Sequence, residues 1–190
     1  MTQARLVILA SGGGSIAQAI IDAASKKELD VQIVGLICDK EGARVLQRAS
    51  DSGIPTHLLP MKPDRKSWDM DVINCLDALK PDLVASAGFM KVLSTECVER
   101  FRIINSHPAL LPLFPGAHAV RDALAAGAKV TGSTIHWVDA GIDTGEIIAQ
   151  ESVAVHASDT EESLHERIKI VERRLFVATL QSLLADHVRS

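Results

Sequence analysis

The sequence predicts an α/β fold: three-layer, Rossmann-like, a mostly parallel sheet with helices on both faces. Two observations point there. Short apolar runs alternate with helical patterns from residue 5 onward, as repeated strand–helix units do. A run of glycines, Gly12-Gly13-Gly14, follows the first apolar run and precedes the first helical pattern.

The elements read in order. Arg5–Ala10 is apolar and rich in Leu, Val and Ile, as a strand covered on both faces is. A helix follows from about Ile16 to Ser25, with Ile16, Ala19, Ile20 and Ala23 on one face. Val31–Cys38 is a second strand and about Ala43–Ser52 a second helix, stopped by Gly53-Ile54-Pro55. Thr56–Leu59 is a short third strand. Ser67–Leu79 reads as a helix capped by Ser67, with Pro81 after its end. Asp82–Ala87 is a fourth strand, about Thr95–Arg100 a short helix, and Arg102–Asn105 a fifth strand.

The pattern then loosens. Residues 106–117 carry Pro108, Pro112, Pro115 and Gly116, the composition of a functional loop. A helix near His118–Ala126 precedes strands at Val130–Val138 and Glu146–Val155, with a loop at Asp139–Gly145. This last third has room for an antiparallel strand. Thr160–Ala185 is one long amphipathic helix capped by Ser158 or Thr160. No linker divides the chain, so residues 1–190 are expected to form one domain.

Bulk properties narrow the function. With 190 residues and 47% hydrophobic content, the chain can bury a sizeable core. A net charge of −4 gives no broad attraction to nucleic acid or anionic membrane. Aromatic residues make up 3%, too few for a base-stacking platform. No apolar run nears the roughly 18 residues of a spanning helix, and the N-terminus lacks a leader pattern. Cys38, Cys75 and Cys97 are odd in number and widely spaced, which fits buried, reduced thiols in the cytoplasm.

Asn105 and His107 leave one strand end two residues apart. Ligands of such sheets bind outside the carboxyl ends of the strands. An amide donor, a titratable imidazole and a carboxylate can together handle a carbonyl. Asp143 is a candidate carboxylate, and Asp139 is its rival in the same loop. The glycine cluster suits an anion held by backbone N–H groups. It lacks the Lys of a phosphate-binding P-loop and departs from the dinucleotide spacing. His136 reads as packing on a sheet face. For His118, helix capping and substrate contact are equally open. Glu172 falls on what looks like the solvated face of the last helix.

Five segments are familiar together: RLVILASGGGS at the start, SAGFMKVLS (86–94), INSHPALLPLFPGAHAVRDAL (104–124), GSTIHWVDAGIDTGEIIAQ (132–150) and LHERIKIVERRL (164–175). In order, spacing and joint presence they resemble the phosphoribosylglycinamide formyltransferases, almost end to end. The resemblance implies formyl transfer from 10-formyltetrahydrofolate, as co-substrate, to the amine of glycinamide ribonucleotide in purine biosynthesis. It implies no metal, and a monomer or homodimer. Residues to about 100 would form the phosphate-binding half, the rest the catalytic and folate-binding half.

By the same resemblance, His107 is the general acid/base, Asn105 binds the oxyanion and contacts folate, and Asp143 assists His107. Gly13, Gly14, Ser15 and Ile16 match the phosphate-holding loop, and Glu172 a substrate-binding acid. Arg65, Met90, Lys91, Val92 and Leu93 match the folate site. Ile16 stands where many members carry Asn and offers no side-chain donor. Three rival functions remain: a 10-formyltetrahydrofolate hydrolase sharing the Asn, His and Asp, a formyltransferase acting on a sugar-nucleotide amine, and a non-catalytic nucleotide-binding module. Such hydrolases usually carry an extra N-terminal domain, for which a first strand at about residue 5 leaves no room.

Overall fold

A computed structural model describes residues 3–187, with side chains through residue 185. The described elements are β1 (Ala4–Ala10), α1 (Ser15–Ser25), β2 (Val31–Cys38), α2 (Arg44–Asp51), β3 (Thr56–Leu58), α3 (Arg65–Leu79), β4 (Leu83–Ser86), α4 (Thr95–Arg100), β5 (Ile103–His107), α5 (Ala119–Ala125), β6 (Val130–Trp137), β7 (Ile147–Ala154) and α6 (Glu161–His187). The strands form one sheet in the order β3-β2-β1-β4-β5-β6-β7. Strands β1 to β5 pair in parallel; β6 is antiparallel to both its neighbours, β5 and β7.

Alternation along the strands builds the layers. Leu6, Ile8 and Ala10 of β1 face one core, shared with Ile20 of α1, Val45 of α2 and Phe176 of α6. Val7 and Leu9 face the other, shared with Trp68, Val72 and Leu76 of α3 and Cys97 of α4. The Trp68 indole N–H is satisfied by the Leu59 carbonyl at 2.9 Å. Cys38 and Cys97 are buried free thiols, and Cys75 is half-buried. Burial pushes the Cys97 thiol up to about 12, which makes it a poor nucleophile.

Several boundaries differ from expectation for identifiable reasons. α3 starts at Arg65, not Ser67, because Asp64 is the cap: its carboxylate accepts from the Ser67 N–H at 3.1 Å. Thr160, not Ser158, caps α6, accepting from the Ser163 N–H at 3.1 Å. β5 runs on to His107, two residues past its expected end. Its pairing with β4 stops at Asn105, but β6 carries it further, with Asn105 opposite His136 and His107 opposite Thr134. Ser106 and His107 are therefore held from one side only.

The proline-bearing loop after β5 is tied to the sheet by one hydroxyl. Thr134 Oγ1 accepts from the Leu111 N–H (3.0 Å) and the Gln150 amide (2.9 Å), and donates to the Ala109 carbonyl (2.6 Å). Each of those buried groups thus finds a partner, as buried polar groups must.

Candidate active site

Sheet order reverses between β1 and β4, the position where folds of this kind open a crevice. A cavity of about 690 Å³ lies there. One wall is the glycine loop after β1, another the segment 86–93 after β4, and its floor is the end of β5. Loop residues 139 and 141–143 and the α6 residues His165, Glu166, Lys169, Glu172 and Arg173 close the remaining sides.

The glycine loop is oriented by α2. The Val45 N–H donates to the Gly12 carbonyl at 3.1 Å, and Arg48 Nε donates to the Gly13 carbonyl at 2.9 Å. In a trans peptide the N–H points opposite to the C=O. Carbonyls turned toward α2 therefore turn the next N–H groups away from it. Gly14 caps α1 with φ 70°, in the left-handed region. A Cβ there would lie 2.3 Å from Val45 Cγ2. Gly14→Ala is expected to destabilise the fold by about 2–4 kcal/mol, adding overpacking to a left-handed backbone penalty. Thermal melting by circular dichroism checks this; an unchanged midpoint would contradict it.

At the end of β5 the side chains interlock. His136 Nδ1 lies 2.8 Å from the Trp137 carbonyl, which can only accept, so Nδ1 carries the proton. In the neutral ring Nε2 then accepts from Asn105 Nδ2, 3.3 Å away. The Ser86 hydroxyl donates to Asn105 Oδ1 at 2.9 Å. Both ends of the amide are thus fixed, and one Asn105 N–H is left over.

His107 is 3% exposed. Its Nδ1 sits 3.2 Å from Asp143 Oδ2, and its Nε2 sits 2.8 Å from the Phe114 carbonyl. Both neighbours are acceptors, so both contacts are satisfied only when the ring carries two protons. Asp143 Oδ2 also accepts from the Gly116 N–H at 2.8 Å, and Oδ1 lies 3.6 Å from His136 Nε2. Burial pushes the Asp143 carboxyl up; His136 when its Nε2 carries a proton in place of the Asn105 contact, the Gly116 amide and the charge of His107 together outweigh it, and the net direction is down.

Asp143 has φ 55°, a conformation Asp tolerates better than most residues. Asp139 takes the local role instead: its Oδ1 accepts from the Gly141 N–H (3.0 Å) and the Thr144 hydroxyl (2.8 Å). The turn is tight, since a Cβ on Gly145 would fall 1.7 Å from the Trp137 carbonyl oxygen. That geometry separates two carboxylates that local sequence patterns left level.

Glu172 corrects an expectation drawn from its helical position. It is 5% exposed, not solvated, and hydrogen-bonds Ser106. The long helix α6 crosses the sheet, so the face carrying Glu172 meets β5 and β6 instead of water. Burial raises the Glu172 carboxyl above its usual range, opposed by Ser106, Lys169 and Arg173. A raised folded value means the folded state keeps its proton while the unfolded state loses it. Stability therefore falls as pH climbs from the ordinary carboxylate value through the folded one. Glu172→Gln is expected to raise the melting temperature at neutral pH and to flatten that pH dependence; an unchanged or lower Tm would contradict the account.

Met90, Lys91, Val92 and Leu93 line the cavity beside Gly88 and Phe89. Lys91 Nζ pairs with Asp39 at 3.6 Å. Arg65 is not on the cavity lining; it donates to the Val92 carbonyl and to Asp69. Among the described residues no cluster of His, Cys, Asp or Glu is arranged for a metal ion, and no helix is long and apolar enough to cross a membrane.

The formyl transferase family model matches residues 4–180. The chain belongs to the formyl transferase family. A phosphoribosylglycinamide formyltransferase of Mycobacterium tuberculosis is 49% identical over 189 residues, covering 97% of this chain and 87% of that protein. The glycinamide ribonucleotide transformylase 1 of Symbiobacterium toebii superposes with a TM-score of 0.94 at 36% identity, covering 97% and 89% of the two chains. A phosphoribosylglycinamide formyltransferase of Bacillus halodurans gives 0.91 at 42% identity, covering 95% of each.

In this formyltransferase the cavity brings together Gly13, Gly14, Ser15, Ile16, Met90, Lys91, Val92, Leu93, Asn105, His107, Asp143 and Glu172, and leaves Arg65 at its edge. His118 sits at the N-cap position of α5, makes no capping bond and stays off the cavity. Sequence reasoning missed Ser86, His136, Arg44, Arg48, Lys169 and Arg173, all on the lining. Alternation put His136 on the right sheet face. Only the pairing of β5 with β6 shows that this face carries Asn105 and His107.

Proposed function

We propose that the chain transfers the formyl group of 10-formyltetrahydrofolate directly to the amine of 5′-phosphoribosylglycinamide, the formylation named for its relatives. The observation that carries this reading is the Asn105–His107–Asp143 set, held at the mouth of β5 within one cavity that also contains the glycine loop.

The amine attacks the formyl carbon and its oxygen gains negative charge. The unused Asn105 N–H and protonated His107 donate to that oxygen; one such donor is typically worth ~3 kcal/mol. The carbon–N10 bond then breaks as the new amide bond stands. The proton lost by the amine ends on N10, moved by His107 directly or through water. Asp143 holds the imidazolium by charge and hydrogen bonding. His107 Nε2 must exchange the Phe114 carbonyl for the reacting oxygen, so the loop at 114–116 yields when substrate enters.

In this reading Gly13 to Ile16 receive the phosphate through backbone N–H groups. Glu172 holds the glycinamide side of the nucleotide. Met90 to Leu93 present backbone to the pterin, with Arg65 reaching the donor at the rim.

The test is donor consumption with and without the nucleotide amine. Turnover of 10-formyltetrahydrofolate only when glycinamide ribonucleotide is present is the expected result. Equal turnover without the amine would mean a hydrolase, and none in either case, with nucleotide still bound, a non-catalytic module.

A further inference from the structure

We propose that Arg44 and Arg173 form a guanidinium pair that grips the substrate phosphate from opposite sides of the α1 N-terminus. The inference rests on the nucleotide reading above and adds side-chain ligands to what the glycine loop supplies.

Helix α1 packs against α2 on one side and α6 on the other. Arg44 is the first residue of α2, and the Val45 N–H bond to Gly12 fixes that turn against the glycine loop. Arg173 is half-buried on α6 and borders both the cavity and the groove beside α1, with Ser15 common to the two. Each arginine therefore lines the cavity that holds the loop, one from α2 and one from α6.

Neither guanidinium group is tied down by a bond, although the charge of Arg173 also acts on Glu166 and Glu172. Neither makes a hydrogen bond or ion pair among the described residues. Their neighbours differ: Arg48 is spent on Gly13 and Gln18, Lys169 on Glu166, and Arg174 on Glu151. Two unpaired cations facing one loop repel each other and favour an anion between them. A guanidinium fork also matches phosphate oxygens in pairs.

Ile16 makes the need specific. It is 6% exposed, packed into the core below α1, so the helix start offers the cavity backbone N–H groups and no side-chain donor at that position. Arginines from the flanking helices supply the donors that this position lacks.

The test is steady-state kinetics on Arg44→Ala, Arg173→Ala and the lysine variants, with the wild type in the same assay. The expected result is a rise of about 5- to 30-fold in KM for glycinamide ribonucleotide in each alanine variant, consistent with loss of one charge-assisted hydrogen-bonding group. KM for the folate donor should stay within two-fold, and lysine should restore part of the loss at Arg44. An active wild type with unchanged nucleotide KM in both alanine variants would overturn the proposal. An inactive wild type would instead sink the functional reading. In that case ribose 5-phosphate binding by calorimetry decides: weaker binding in the alanine variants sustains the arginine pair, and equal binding removes it.

Discussion

His107→Ala is expected to lower the rate of formyl transfer by about 100- to 10,000-fold, the range a general acid/base contributes. The ring is buried, points one nitrogen at Asp143, and turns the other toward the side where the Phe114 carbonyl now sits. On the proposed mechanism, removing it takes away a proton carrier and an oxyanion donor in one step. Substrate KM should change far less, since the ring acts on charge that develops only in the transition state. Loss of activity through misfolding has a different signature. A melting temperature near wild type, with partial rescue by added imidazole, would assign the loss to chemistry. A near-normal rate in this variant would remove His107 from the mechanism.

Asn105→Ala is expected to lower kcat by about 100- to 1,000-fold, the usual result of deleting one preorganised oxyanion donor. The amide is preorganised because both its ends are already bonded, Oδ1 to Ser86 and Nδ2 to His136. No reorientation is needed when charge appears on the formyl oxygen. The variant also leaves Ser86 and His136 without this partner, so a modest drop in Tm should accompany the rate loss. A loss confined to KM would mean that Asn105 binds ground state and transition state alike, and the oxyanion role would fall.

How much of this was legible in the sequence depends on which interaction fixes each residue. The parallel half of the sheet was readable because strands buried on both faces are continuous apolar runs, as Leu6–Ala10 is. The glycine loop was readable because Gly12-Gly13-Gly14 stand between an apolar run and a helical pattern. Asn105 and His107 were readable from a strand end followed by prolines. Three features depended on long-range pairing and stayed hidden. His136 became a site residue only through its register opposite Asn105. Asp143 parted from Asp139 only through the Gly116 contact 27 residues away in sequence. Glu172 looked solvated because helical periodicity does not say which element will cross above it; Ser106 does. The family resemblance pointed to Asp143 and Glu172, which line the cavity, and gave no sign of Arg44 or Arg173.

Direct transfer, as proposed, carries one formyl group from folate nitrogen to nucleotide amine within a single cavity. Donor carrying ¹³C in its formyl group, mixed with glycinamide ribonucleotide and the enzyme, tests it most directly. Carbon NMR is expected to find the label one-for-one in the new formamide. Label recovered as free formate, with the nucleotide amine unmodified, would contradict it.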